Sequence, residues 1–392
     1  MAQTKRATAQ ERMQCAHELM LGLPWNISVE GARKVEQLVE YLYEFRVATL
    51  EQLARCLPGD TEKRIGYWLD RYPYINKQMV SMDRYDVNRG RWVTSKNIGV
   101  YTLTSEAVMA YELAKQYDNA YGSKGTRTKH KPRNLESMVQ AIDLFTRVVE
   151  VNRGQKVEWM NNQFVSSELR KMKLLGMQDS LSTIGFVDTQ DGVYWGVGLY
   201  LKTINGIISH TQKAFPADYK DSMNAVMLVR GEHLGRAHEL AYIRDRSKWV
   251  ANGYYRFIPY EFSLEHPNWF LALLRGNRWA VLEPLFESIR QRGGGVEQVR
   301  SVDKVTAYES FRFRITHPPD EFGHRTVEYV DTTYGAQFTE TVDLITRKSN
   351  VEAAARTLYV MDPSEIEVFQ KINAKEQTAG IVYRCIDWPG GK

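Results

Sequence analysis

Cysteine is nearly absent: Cys15, Cys56 and Cys385 are the only three, odd in number and far apart. That argues against a disulfide framework and fits a reducing compartment. No Cys-x-x-Cys pair occurs and the eight histidines form no His-x-x-x-His pair, so the chain has no metal-site signature. Long apolar runs are missing too. None approaches the ~18 residues that span a bilayer, and the first twenty residues lack the apolar stretch of a signal peptide; the expectation is a cytoplasmic protein without a membrane partner. Gly-x-x-x-x-Gly-Lys-Ser/Thr, a Gly-x-Gly-x-x-Gly after a strand, and Gly-x-Ser-x-Gly are also absent. Nucleotide-loop, dinucleotide and serine-hydrolase chemistry therefore have no support, and no cofactor is expected.

What is present suffices for a sizeable core: 392 residues, 43% hydrophobic and 25% charged, enough for two or three domains. The net charge of +5 is unevenly placed. Residues 1–135 hold 21 Lys and Arg against 15 Asp and Glu, so the positive excess is local to the first third. A positive field confined to one module points to an anionic partner such as nucleic acid.

Within that third, Val35, Leu38, Val39, Leu42 and Tyr43 recur at helical spacing, with Ser28 as the expected N-cap. Thr49 opens a short second helix and Gln52 takes its capping-box position. After Pro58 and Gly59, a third helix starts at Asp60 or Thr61. Its spacing turns Ile65, Trp68 and Leu69 inward and Lys63, Arg64, Tyr67 and Arg71 outward. This is the pattern of a helix-turn-helix, whose second helix lies in the DNA major groove. Residues 75–104 then carry two strand signals around Asn88-Arg89-Gly90, which puts Arg84, Arg89, Arg91 and Lys96 on a hairpin. Ser105 is the expected cap of a closing helix. Three helices, a hairpin and a closing helix follow the winged-helix order. The competing reading of the same residues is a docking or dimerising module with a solvated basic face.

Residues 118–134 are polar and Gly-containing, with Lys124, Arg127, Lys129, Lys131 and Arg133 and no acid between the first and last of these. The composition is that of a linker, or of an arm lying along phosphates. The expected division is a tail over 1–28, a winged-helix domain over 29–117, a basic linker over 118–134 and a mixed α/β domain over 135–392, an α+β protein as a whole. In the last domain one helix runs from Leu135, and strand-like segments such as GVYWGVGLYLKT and NAVMLVRG alternate with helical ones such as LGRAHELAYIRD and PSEIEVFQKINAK. The segments TAYESFRFRIT and HRTVEYVDTTY read as a further hairpin. Gly293 to Gly295 read as a flexible turn, and no repeat of fixed period is evident. Tyr254, Tyr255, Phe257 and Tyr260 cluster with Arg256; such aromatics stack on single-stranded bases or, by strand alternation, fill a core.

The succession of winged helix, basic spacer, helix and α/β domain resembles the replication-relaxation family of plasmid and mobile-element proteins, most clearly over residues 33–115. The resemblance implies an N-terminal DNA-binding winged helix and a C-terminal domain of restriction-endonuclease-like type. Nuclease chemistry in such a fold needs two carboxylates for Mg²⁺ and a lysine for the attacking water. Asp179, Asp188 and Asp191 with Lys202 are the available groups, but Tyr200 stands where an acid is required. The domain is therefore read as a degenerate scaffold or protein interface. His233 and Arg236 match the His-x-x-Arg element of tyrosine recombinases without its companion motifs. The sequence thus points to a sequence-specific binder of double-stranded DNA, a regulator of transcription, replication or DNA transfer, with a homodimer on two half-sites as an expected assembly. Its alternatives are a metal-dependent nuclease and a protein-interaction module.

Overall fold

A computed structural model describes residues 29–57, 59–104, 106–108, 111, 132–152, 158–161, 185–188, 194–202, 223–244, 255–276, 278–298, 313–334, 356–376 and 381–385. Helices and strands are mixed, and the chain divides into two compact units, Met1–Asp188 and Thr189–Lys392. Among the described residues no helix is long and apolar enough to cross a membrane. The proposed tail over 1–28 lies outside the described residues.

The first unit opens with α1 (Val29–Phe45), whose apolar stripe of Val35, Leu38, Val39, Leu42 and Tyr43 is buried as its spacing predicts. Arg46 adopts φ 67° after the helix, and the chain enters β1 (Ala48–Thr49) and then α2 (Leu50–Cys56). The capping box is formed: Gln52 N–H donates to Thr49 Oγ1, and Thr49 N–H donates to Gln52 Oε1. Thr61 caps α3 (Glu62–Arg71), and Ile65, Trp68 and Leu69 are buried. β2 (Ile75–Asp86) and β3 (Arg91–Leu103) pair antiparallel, and β1 joins β3, giving the sheet order β1-β3-β2. The closing helix differs in its cap. Ala107 N–H donates to Thr104 Oγ1, one residue before the expected Ser105.

The expected boundary at residue 135 is displaced. Helix α4 (Pro132–Val151) takes in the last three residues of the expected linker and belongs to the first unit. The reason is burial: Leu135, Val139, Ile142, Phe145 and Val148 are covered, Phe145 meets Phe45 edge-on, and Gln52 donates across to the Val139 carbonyl at 2.7 Å. The unit also contains an antiparallel pair, β4 (Glu158–Asn161) and β5 (Gly185–Asp188).

In the second unit β6 (Tyr194–Tyr200), β7 (Met223–Val229) and β8 (Tyr255–Pro259) run parallel. Helix α5 (Leu234–Arg244) carries the β7-to-β8 crossover. Next come α6 (Tyr260–Glu265), α7 (Pro267–Leu274) and α8 (Arg278–Gln291). A second sheet has the order β13-β12-β11-β10-β9, built from β9 (Gly295–Gln298), β10 (Phe313–Thr316), β11 (Val327–Thr332), β12 (Arg356–Val360) and β13 (Ile381–Cys385). Its first three strands are antiparallel, its last three parallel, and α9 (Pro363–Glu376) carries the β12-to-β13 crossover. Gly293, with φ 84°, makes the expected turn, but Gly295 already belongs to β9. Phe257 and Tyr260 of the aromatic cluster are buried, so they pack a core.

A duplication runs through this order. A helix, an antiparallel strand pair, two parallel strands, a crossover helix and a further parallel strand occur as α4, β4, β5, β6, β7, α5, β8 and again as α8, β9, β10, β11, β12, α9, β13. The crossover helices α5 and α9 of the two copies pack together: Gly235 N–H donates to Ser364 Oγ, which donates to the Gly231 carbonyl.

Candidate nucleic-acid interface

The site expected from sequence comprises the outer face of α3 and the β2–β3 hairpin, both in the first unit. On α3, Lys63, Arg64 and Tyr67 are exposed, Tyr67 by 51%, which is high for a large aromatic side chain. Arg64 is partly committed. It lies 3.4 Å from Asp60 and 5.1 Å from the Trp68 ring centroid. Asp60 in turn is buried against Lys34 at 2.5 Å, which ties α1 to the start of α3. Arg71 ends the helix. Lys77, absent from the expected set, joins the beginning of β2 to this helix through Asp70 at 3.2 Å and lies 5.4 Å from the Tyr101 ring centroid.

The hairpin tip is pre-organised. Asp86 accepts the amide protons of Asn88 and Arg89 through Oδ1, and Gly90 takes φ 58° to close the turn. Arg89 is exposed but sits 3.5 Å from Asp86, while Arg91 and Lys96 are exposed with no ion pair among the described residues. Lys96 occupies a bulge. Val80 pairs with Ile98 and Met82 with Ser95, so Ser81 alone stands opposite Lys96 and Asn97. Asn97 takes φ 57°, and a bulge of this kind re-aims the residues it carries.

Arg84 departs from its expected role as a phosphate contact. It is half-buried and bonds Glu51 at 2.7 Å, within a network in which Arg55 reaches both Glu51 and Asp143, the latter at 2.5 Å. Burial would raise the Glu51 carboxyl, but the charges of Arg55, Arg84 and Arg147 and the Arg84 hydrogen bond outweigh it and hold the carboxyl below its ordinary value. For Arg55, burial acts downward and is outweighed by Asp143 and Glu51, so its guanidinium is held more firmly charged than usual. Arg84 thus ties the hairpin to α2. Only the i,i+4 spacing of Glu51 and Arg55 hinted at this network in sequence.

Lys124, Arg127, Lys129 and Lys131 lie outside the described residues, and Arg133 falls in the first turn of α4. Of the nuclease candidates, Asp179 and Asp191 also lie outside them, Asp188 ends β5 in the first unit and Lys202 follows β6 in the second. Among the described residues no three His, Cys, Asp or Glu side chains are grouped so as to hold a metal ion. His233 lies 3.7 Å from Glu232, and Arg236 pairs with Glu239. The chain matches no family model, no curated protein and no solved structure.

Proposed function

We propose that residues 29–117, with α4 packed against them, form a winged-helix module that binds double-stranded DNA sequence-specifically, and that the protein regulates transcription, replication or DNA transfer. The observation that carries this reading is the pairing, in one unit, of an exposed basic and aromatic face on α3 with a pre-organised hairpin whose Arg91 and Lys96 make no ion pair among the described residues. Lys63, Arg64 and Tyr67 would meet the major groove and Arg91 and Lys96 the backbone beside it, because helix side chains reach base edges while wing cations neutralise phosphates. The second unit, with its mixed sheet, is a degenerate restriction-endonuclease-like scaffold in this reading.

The test is selection of the full-length protein on a randomised duplex pool at near-physiological salt with nonspecific competitor. A defined enriched motif, lost on substituting Lys63 and Tyr67 together with alanine, is the expected result. Binding without enrichment that fades as salt rises would reduce the face to phosphate attraction and refute sequence-specific recognition.

A further inference from the structure

The duplication in the chain supplies an internal control for which residues this fold requires. Setting Val229, the last residue of β7, against Val360, the last of β12, brings the strand registers of the two copies into correspondence. Val226 then matches Thr357, Leu228 matches Tyr359, Ile258 matches Arg384 and Trp195 matches Glu328. In the first copy these positions are all apolar, and Val226, Leu228 and Ile258 are fully buried. The second copy therefore carries a carboxylate, a hydroxyl, a phenol and a guanidinium where the same sheet is built from hydrocarbon. Placing a carboxylate on such a face is costly unless it is paired, and local departures of this kind concentrate at functional sites.

The four groups are brought into one cluster. Glu328 is largely buried; its Oε2 lies 2.7 Å from His317 Nε2, and its Oε1 accepts from Thr357 Oγ1 and faces Arg384 Nε at 3.6 Å. The Tyr359 hydroxyl is pushed up first by burial and then by the Glu328 charge, with Arg384 and Arg292 acting against both. Arg292 is exposed just beyond α8 and is followed by Gly293, where a Cβ would stand 3.2 Å from the Pro318 ring, next to His317. Glu328 spends its negative charge inward and orients the cations around it. Arg384 is half exposed, and its two terminal nitrogens have no partner among the described residues. A guanidinium held by its Nε edge with its fork open is suited to bidentate capture of a tetrahedral oxyanion.

We propose that His317, Arg384 and Arg292, positioned by Glu328 and Thr357 and with Tyr359 as a hydroxyl donor, form a binding site for a phosphoryl group, separate from the basic face of the first unit. The site takes either a free phosphate, as on a nucleotide or as the inorganic ion, or a phosphodiester within a nucleic-acid strand. Calorimetric titration of the full-length protein with inorganic phosphate, and separately with a thymidine dinucleotide that has one internal phosphodiester and no terminal phosphate, distinguishes these sources. Binding of either probe is expected. Arg384→Gln and Arg292→Gln, both at exposed positions where the fold tolerates change, should each weaken it about tenfold. Thr357→Val, which restores the residue type of the first copy, should weaken it less, and Lys371→Gln on the exposed side of α9 should leave it unchanged. In parallel, the His317 ring resonances should shift on titration. Failure of both probes to bind at millimolar concentration, or binding unaltered in both arginine variants, would overturn the site; neither result would touch the proposal for α3 and the hairpin.

Discussion

Arg84 and Arg91 stand on one hairpin and answer to different forces. Arg84 is held by Glu51, so Arg84→Ala should lower the unfolding midpoint of the first unit. Arg91 and Lys63 have no such bond among the described residues, so Arg91→Ala and Lys63→Ala should leave stability within about 0.5 kcal/mol and each reduce the salt slope of DNA binding by about one. A denaturation curve and a salt titration on the same variants separate the two roles. Asp143 is the most exacting member of the network, because its loss would leave Arg55 buried with its charge undercompensated; Asp143→Ala should cost about 3–5 kcal/mol in urea unfolding. Glu51 supplies a pH dependence with a definite sign. Its folded-state carboxyl is held below the ordinary 4.5, so its contribution is complete above that value and is lost as pH falls through the folded-state value. Acid unfolding that begins below about pH 4.5 in the wild type should have a shallower slope in Glu51→Gln.

At the level of elements, the local chemistry of the first unit was legible and its long-range pairing was not. The stripe of α1, the Thr49 capping box, the inward residues of α3 and the turn at Asn88–Gly90 all follow from periodicity and turn chemistry over a few residues. The partner of α4 was hidden because its apolar face is equally compatible with either unit; only Phe45, Gln52 and Arg55, far away in sequence, decide it. The bulge at Lys96 and Asn97 was hidden for a related reason, since alternation alone does not reveal which strand has the extra residue. Asn97→Gly should be nearly neutral, whereas Asn97→Val should cost about 1–2 kcal/mol by thermal unfolding, because a β-branched residue resists positive φ. Between the copies of the duplicated module, Gly235 lies close against Ser364. A Cβ there would stand 2.0 Å from the Ser364 carbonyl oxygen, a backbone atom with little room to yield. Gly235→Ala should therefore destabilise the second unit by about 1–3 kcal/mol or more in a denaturant titration.

For the molecule as a whole, the division at Asp188 rather than near residue 135 changes what a minimal DNA-binding fragment must contain. Every basic residue of the expected interface except Arg133 precedes α4, so charge alone would nominate a fragment ending where that helix begins, residues 1–131. That fragment would lose the Phe145 contact to Phe45, the Gln52 bond to the Val139 carbonyl, and the Asp143 partner of Arg55. It would expose the apolar surface of α2 and leave Arg55 without its buried counter-charge, a combination expected to remove several kcal/mol from a unit of ordinary stability. Residues 1–188 keep all three. The expected outcome is that 1–188 unfolds cooperatively and binds the selected duplex with the affinity of the full chain, while 1–131 loses both cooperative unfolding and binding. Circular dichroism during heating and a duplex titration at fixed salt measure the two properties on the same samples. Full affinity in 1–131 would mean that α4 stabilises nothing the recognition face depends on, whereas a folded 1–188 with weak binding would assign part of the interface to the second unit.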